Sequence, residues 1–207
     1  MEKVNSINFK ATPLNTVKIK KYNKINKKFM TQTVTFVQLD ANNRFDLEAV
    51  ETAAKKWKNA PFMKEIATAS HWMKNVPIEV YAVTAQKNNF EKLQYKNILG
   101  FAEMRQDEKD SKFRELCHLQ VNPSAININS KAAKKSYKGV GSSILTSLKK
   151  YYDYISLISV DNINIENFYL KNNFIRDYTQ QNRFLWSHDF IEMLKIHFNN
   201  LRVWSGI

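Results

Sequence analysis

Apolar positions change period along the chain, and each change marks an element. Thr31 to Leu39 is rich in Thr and Val around Phe36, which predicts a first strand. Asp46 is placed to cap a helix in which Leu47, Val50, Ala54 and Trp57 share a face. Pro61 breaks that pattern and opens a second helix lined by Phe62, Ile66, Ala69 and Met73. Strands are predicted over Ile78 to Thr84, Asn97 to Arg105 and Arg114 to Val121, with a polar connection from Ala85 to Lys96. Val140, Ile144, Leu148 and Tyr151 then recur at helical spacing, with Ser142, Ser143, Thr146, Ser147, Lys149 and Lys150 on the other faces. A strand from Ile155 to Val160 follows. Phe174 to Asp177 and Arg183 to Trp186 are closing strands, and Phe190 to Trp204 a last helix. The order β-α-α-β-β-β-α-β-α-β-β fits an α/β (α+β) protein. It implies a mixed, mostly antiparallel twisted sheet flanked by helices, in which the 140–152 helix leads to a parallel neighbour.

Composition narrows the class. At 207 residues and 43% apolar, with thirteen Phe and four Trp, the chain can bury a core as one domain. No window approaches the run of about 18 apolar residues of a membrane span, and the N-terminus lacks a secretory apolar region. One cysteine, Cys117, excludes an internal disulfide, so a cytoplasmic setting is expected. The net charge of +13 allows a nucleic-acid partner, while Lys, Asn and Ile abundance throughout also accounts for it. Lys18, Lys20, Lys21, Lys24, Lys27 and Lys28 make residues 1–30 read as a basic, loosely ordered arm before a single domain over 31–207.

Ser136-Tyr137-Lys138-Gly139-Val140-Gly141-Ser142-Ser143 holds two of the four glycines of the chain and opens the 140–152 helix. A glycine-rich turn at a helix start offers unpaired backbone N–H groups to an anion, and the helix dipole adds to the attraction. Further on stands Asp161-Asn162-Ile163-Asn164-Ile165-Glu166-Asn167-Phe168-Tyr169-Leu170-Lys171-Asn172-Asn173-Phe174, and before the loop Leu116-Cys117-His118-Leu119-Gln120-Val121-Asn122-Pro123. In this order the three blocks resemble the GNAT acyltransferase superfamily. Its phosphate loop reads Arg/Gln-x-x-Gly-x-Gly/Ala, and its later segment Asn-x-x-Ala-x-x-Phe/Leu-Tyr-x-x-x-Gly-Phe. Ser136, Ile165 and Asn173 depart from those patterns, and Asn173 mildly, because Asn tolerates the left-handed conformation. The link from Ser124 to Lys135 is long, and its Lys131, Lys134 and Lys135 could lie near phosphates or be a solvated run.

The resemblance implies acetyl-CoA as cosubstrate and a strand pair that splays to admit it. It places Tyr137, Lys138, Gly139, Val140, Gly141, Ser142 and Ser143 at the phosphates. Leu119 and Val121 fall on the pantetheine-bonding strand, and Asn162 beside the pantetheine arm. Tyr169 falls on the tyrosine that protonates the departing thiolate. A phenol, with an ordinary pKa of about 10, is protonated and able to donate. Glu115, Glu103 and His118 compete as the base that neutralises the amine, with His118 expected opposite Glu115 because strand side chains alternate. Asn162 serves equally as a helix cap, and Tyr169, Leu119 and Val121 equally as core.

His71, His118, His188 and His197 have no paired metal spacing, so no metal is expected. Gly-x-Ser-x-Gly, Walker A and Rossmann signatures are absent. Three readings stay open. They are an N-acetyltransferase moving acetyl from acetyl-CoA directly to a primary amine, a tRNA- or other RNA-directed acetyltransferase, and a CoA-binding protein of the same fold without turnover. The closing strands allow a homodimer.

Overall fold

Thr12–Asn23 (β1) and Lys28–Gln38 (β2) pair as a long antiparallel hairpin. This corrects the expectation of a loose arm for residues 12–30. Val17 and Ile19 face the core at period two, while Lys18, Lys20 and Lys21 are exposed. Leu14, Val17 and Ile19, with an irregularity between Pro13 and Asn15 and lysines between them, leave a faint alternation, and β1 takes its order from laddering along β2. At the turn the Asn23 side-chain oxygen accepts the amides of Ile25 and Asn26 at 2.8 and 3.2 Å. The computed structural model describes residues 11–40, 43–58, 78–106, 113–123, 136–178, 180–189, 191 and 195. The expected helix after Pro61, Lys131, Lys134 and Lys135, and most of the 190–204 segment lie outside the described residues.

Arg44–Lys56 (α1) is capped by Asn43, whose side chain accepts the Phe45 amide at 3.0 Å. Asp46, the expected cap, lies one turn further in and accepts the Asp40 amide at 3.1 Å. Both residue types suit a helix start, and the choice between them is tertiary. Ile78–Thr84 (β3), Ile98–Gln106 (β4) and Phe113–Val121 (β5) follow in antiparallel succession. Tyr137–Lys138 (β6) leads into Val140–Leu148 (α2). Tyr154–Ile158 (β7), Ile163–Lys171 (α3), Ile175–Asp177 (β8) and Arg183–Ser187 (β9) complete the described elements.

The strands form one sheet in the order β6-β1-β2-β3-β4-β5-β7-β9-β8. β5 and β7 are parallel, joined through α2 as the helical connection requires, and the other described pairs are antiparallel. Side chains alternate between two cores. Val34, Phe36, Tyr81, Val83, Ala102, Met104 and Leu116 cluster with Val140, Ile144, Leu145 and Leu148 of α2. Val37, Val80, Ala82, Ile98 and Phe101 pack on the opposite face with Ala49, Val50, Ala53 and Ala54 of α1. Gly100 lets α2 sit close to β4, since a Cβ there would meet Ile144 Cδ1 at 2.9 Å and Val140 Cγ1 at 3.0 Å.

Candidate active site

The parallel partnership of β5 and β7 is short. Phe113, Arg114 and Glu115 pair with Tyr154, Ile155 and Ser156, and the ladder ends there. β5 continues beside β4 as far as Val121 opposite Gly100, and Asn122 still donates to the Leu99 carbonyl at 2.8 Å. β7 continues beside β9 to Ile158. From Leu116 onward the two central strands are therefore neighbours in sheet order without a shared ladder, and a wedge opens between them.

The glycine turn before α2 stands at this wedge. Gly139 is in the left-handed region at φ 81°, where a Cβ would be strained, and among the described residues nothing lies within 4 Å of the position a Cβ would take. The first bond of α2 is donated by Ser143 to the Gly139 carbonyl at 2.9 Å. Among the described residues no acceptor meets the amides of Gly139, Val140, Gly141 or Ser142. Gly141 is the meeting point of three elements. A Cβ there would lie 3.0 Å from Phe168 Cζ of α3 and 3.6 Å from Val121 Cγ1 of β5. The loop's other side is tied down, with the Tyr22 amide donating to the Ser136 carbonyl at 2.8 Å.

Other loop side chains point elsewhere. Lys138 places its Nζ 4.0 Å from the centre of the Phe29 ring, on the hairpin, and Tyr137 packs against the core under Lys21. The Ser143 hydroxyl donates to the Val140 carbonyl at 2.7 Å inside the helix. The Asn162 side chain caps α3 by accepting the Asn164 amide at 2.9 Å, so its oxygen is engaged in local structure. The Val121 carbonyl accepts Gln120 Nε2 at 3.2 Å, and Leu119 and Val121 both pack against the α2-side core.

Tyr169 follows Phe168 on α3 and is 9% exposed among Phe168, Phe174 and Phe184, with ring centres 5.2 to 5.7 Å away. Burial pushes its phenol up to about 12. Its hydroxyl makes no hydrogen bond to a described residue. Asn173 holds φ 60°, the left-handed conformation that ends α3 and turns the chain to Phe174.

A β-bulge alters the arrangement on the other face. Glu103 pairs with His118 and Met104 with Leu116, leaving Cys117 as the extra residue on β5. Residues paired across a ladder share a face. Glu103 and Arg105, two apart on β4, share one, so their partners His118 and Glu115 share it as well. This corrects the expectation that His118 opposes Glu115: the inserted residue resets the alternation. Glu103 is 1% exposed and pairs with Arg105 at 3.3 Å. Arg105 also lies in the field of Cys117 and Glu115. Glu115 is half-buried and occupies the last rung before the strands part. Sequence alternation offered no sign of the bulge or of this grouping.

Among the described residues no group of His, Cys, Asp and Glu is placed to hold a metal ion, and no helix is long and apolar enough to cross a membrane. No family model matches the chain, and no curated protein matches it. Solved structures do resemble it. A protein of Exiguobacterium sp. 255-15 assigned as an acetyltransferase aligns with a TM-score of 0.50 and 13% identity, over 81% of this chain and 97% of that one. AtaTR bound with AcCoA aligns at 0.47 with 15% identity, over 78% and 98%. N-acetyltransferase PseH of Campylobacter jejuni aligns at 0.45 with 14% identity, over 74% and 99%. Of these three the first reaches a TM-score of 0.5, and at 13% identity the likeness is one of fold. The architecture is a GNAT-like acetyltransferase fold.

Proposed function

We propose that this protein is an N-acetyltransferase that takes acetyl-CoA as cosubstrate and transfers the acetyl group directly to a primary amine. The observation that carries this reading is the loss of the β5–β7 ladder after Glu115 and Ser156, beside a helix start whose first amides have no described acceptor. Acetyl-CoA supplies the thioester-activated acetyl group. The fit is physical: the space beside Gly139 admits a phosphate to the bare amides, and β5 offers a backbone edge for an amide-bearing arm.

Each residue then has a task. The amides of Gly139 to Ser142 hold the diphosphate, with α2's dipole behind them. The backbone at Leu119 and Val121 orients the pantetheine arm, for which the Val121 carbonyl exchanges its contact with Gln120. Asn162, with its oxygen on the cap, offers that arm its amide N–H. Tyr169, protonated at any pH below about 12, keeps a proton at its hydroxyl for the leaving sulfur. Glu115 takes the proton of the incoming amine. It is placed better for that than Glu103, whose carboxylate is buried in its pair with Arg105. His118, on the same face, is positioned to relay through water.

Calorimetric titration with acetyl-CoA, coupled to thiol release across a panel of small amines and peptides, tests this. Micromolar to millimolar binding with acceptor-dependent release is expected. Binding without release from any amine leaves a CoA-binding protein of this fold, and no binding at millimolar concentration removes the reading. Glu115→Gln should lower kcat by about 100-fold while Glu103→Gln mainly lowers stability. The reverse pattern transfers the role of base to Glu103.

A further inference from the structure

We propose that the outward face of β6, β1 and β2 is a docking surface for single-stranded nucleic acid. Six lysines and no acidic residue lie between Thr12 and Leu39. The ladder sorts them. Lys18, Lys20 and Tyr22 pair with Thr33, Thr31 and Phe29, and Lys20 pairs on its other side with Lys138. These side chains share the face opposite α2, because Ile19 between them is buried in the α2-side core. Lys18, Lys20, Lys138, Thr31 and Thr33 are exposed.

Among the described residues this charge meets ring faces, Lys138 over Phe29 and Lys21 over Tyr137, and no carboxylate. The described arginines Arg105, Arg114, Arg176 and Arg183 each have a carboxylate partner. No described carboxylate pairs with any of the six hairpin lysines. Like charges on adjacent rungs repel and lower the stability of the ladder, so the arrangement suits an external polyanion. The spacing suits a phosphate chain. Lys18 and Lys20 are about 7 Å apart along the strand, and Lys138 stands about 5 Å across from Lys20. Threonine hydroxyls between them offer neutral donors, which favour phosphate oxygens. Tyr22 and Phe29 sit edge to face at 5.3 Å at the end of the strip. Among the described residues this face carries no large exposed aliphatic side chain, Ile25 lying at the turn and Met30 on the opposite face, which argues against burial in a lipid layer.

The surface is also joined to the phosphate loop. β6 is its third strand, and Lys138 immediately precedes Gly139. A strand docked here therefore ends beside the candidate active site. The inference stands independently of acetyl transfer, since it rests on the charge and layout of the hairpin and β6 and on no step of that reaction.

Fluorescence anisotropy of the full chain with a labelled twenty-nucleotide single-stranded RNA, without acetyl-CoA, from about 50 to 200 mM salt tests it. Affinity should fall with salt, with a log–log slope near −0.7 per phosphate contact, about −2 for three. Lys18→Gln with Lys20→Gln should weaken binding about tenfold at low salt and flatten the slope by about 1.4. Lys55→Gln with Lys56→Gln, the same charge change on exposed α1 positions, should change it less than about twofold. Equal losses in the two variants would mean generic attraction to a basic protein and overturn the proposal. Absence of RNA binding overturns it too, as does binding to anionic phosphatidylserine vesicles with no RNA binding.

Discussion

The two ends of β5 are built in opposite ways. At its first residues the strand is locked. Phe113 to Glu115 ladder onto β7, Phe113 meets Tyr154 edge to face at 4.1 Å, and Arg114 Nε lies 3.5 Å from Glu79 Oε2. Tyr152 donates to the same carboxylate at 2.6 Å, and the Tyr81 hydroxyl is 2.5 Å from that of Tyr152. From Leu116 the same strand shares no ladder with β7, the bulge at Cys117 intervenes, and the first amides of the next helix meet no described acceptor. At one end the polar groups are tied into the β5–β7 ladder and the cluster around Glu79, and at the other the ladder to β7 is missing.

The largest expected effect comes from filling the open end. Gly141→Leu puts a side chain where Phe168 and Val121 converge, so acetyl-CoA affinity should fall at least about 100-fold. Circular dichroism and a thermal melt check that the variant folds, and calorimetry reads the binding. Unchanged affinity in a folded variant would break the comparison, because the open end would then have no ligand to exclude.

Next comes the chemistry beside that end. Tyr169→Phe keeps the aromatic packing on Phe168, Phe174 and Phe184 and removes only the hydroxyl. A fall in kcat of about 100- to 1,000-fold with cofactor affinity held within about threefold is expected from steady-state and binding measurements. A comparable loss in both quantities would make Tyr169 a packing residue.

Much of this contrast was legible beforehand, and the rest was not for identifiable reasons. The strand over Ile78 to Thr84 followed from a short apolar run, which burial on both faces imposes, and the face Val140, Ile144 and Leu148 from helical period, which burial on one side imposes. Gly139 and Gly141 stood out because glycine is rare in this chain. β1 was hidden, since its core-facing Leu14, Val17 and Ile19 are broken by an irregularity at Pro13/Asn15 and interleaved with lysines, and its pairing with β6 is non-local. The bulge left no trace in residue type: one extra residue at Cys117 changes which side chains share a face without changing any side chain. Asn43 and Asp46 are both good caps, and only the contact with Asp40 separates them.

The closed end provides a smaller effect of the opposite kind. Arg114→Met removes the cation from Glu79 and from the Tyr152 ring, 5.5 Å from the guanidinium. Stability should fall by about 2 kcal/mol in urea titration, tempered by the partial exposure of both groups. Acetyl-CoA affinity should stay within about threefold. A loss of affinity larger than the loss of stability would show that lock and wedge are one coupled unit rather than two ends with separate duties.

The smallest effect lies beyond both ends, where α2 meets α3. Lys149 Nζ donates to the Asn172 carbonyl and sits 4.5 and 4.6 Å from the Phe174 and Trp186 ring centres. Burial pulls its ammonium down to about 8, and the ring faces moderate that drop by favouring the charge. The native state thus releases this proton before the unfolded chain does. Between pH 8 and the ordinary value of 10.5 the unfolded state binds more protons, so stability rises with pH there, and below 8 the group contributes no slope. The buried phenols of Tyr81 and Tyr169, pushed up to about 12, act in the opposite direction only above their ordinary value of 10. From about pH 8 to 9.5 Lys149 is, among the described groups with a resolved shift, the one that gives a rising slope, so urea unfolding there reads the lysine. The rise should be at most about 1 kcal/mol once its half exposure is allowed for, and Lys149→Met should abolish it. A rise that persists in the variant would assign the slope to another group and leave the α2–α3 junction indifferent to pH.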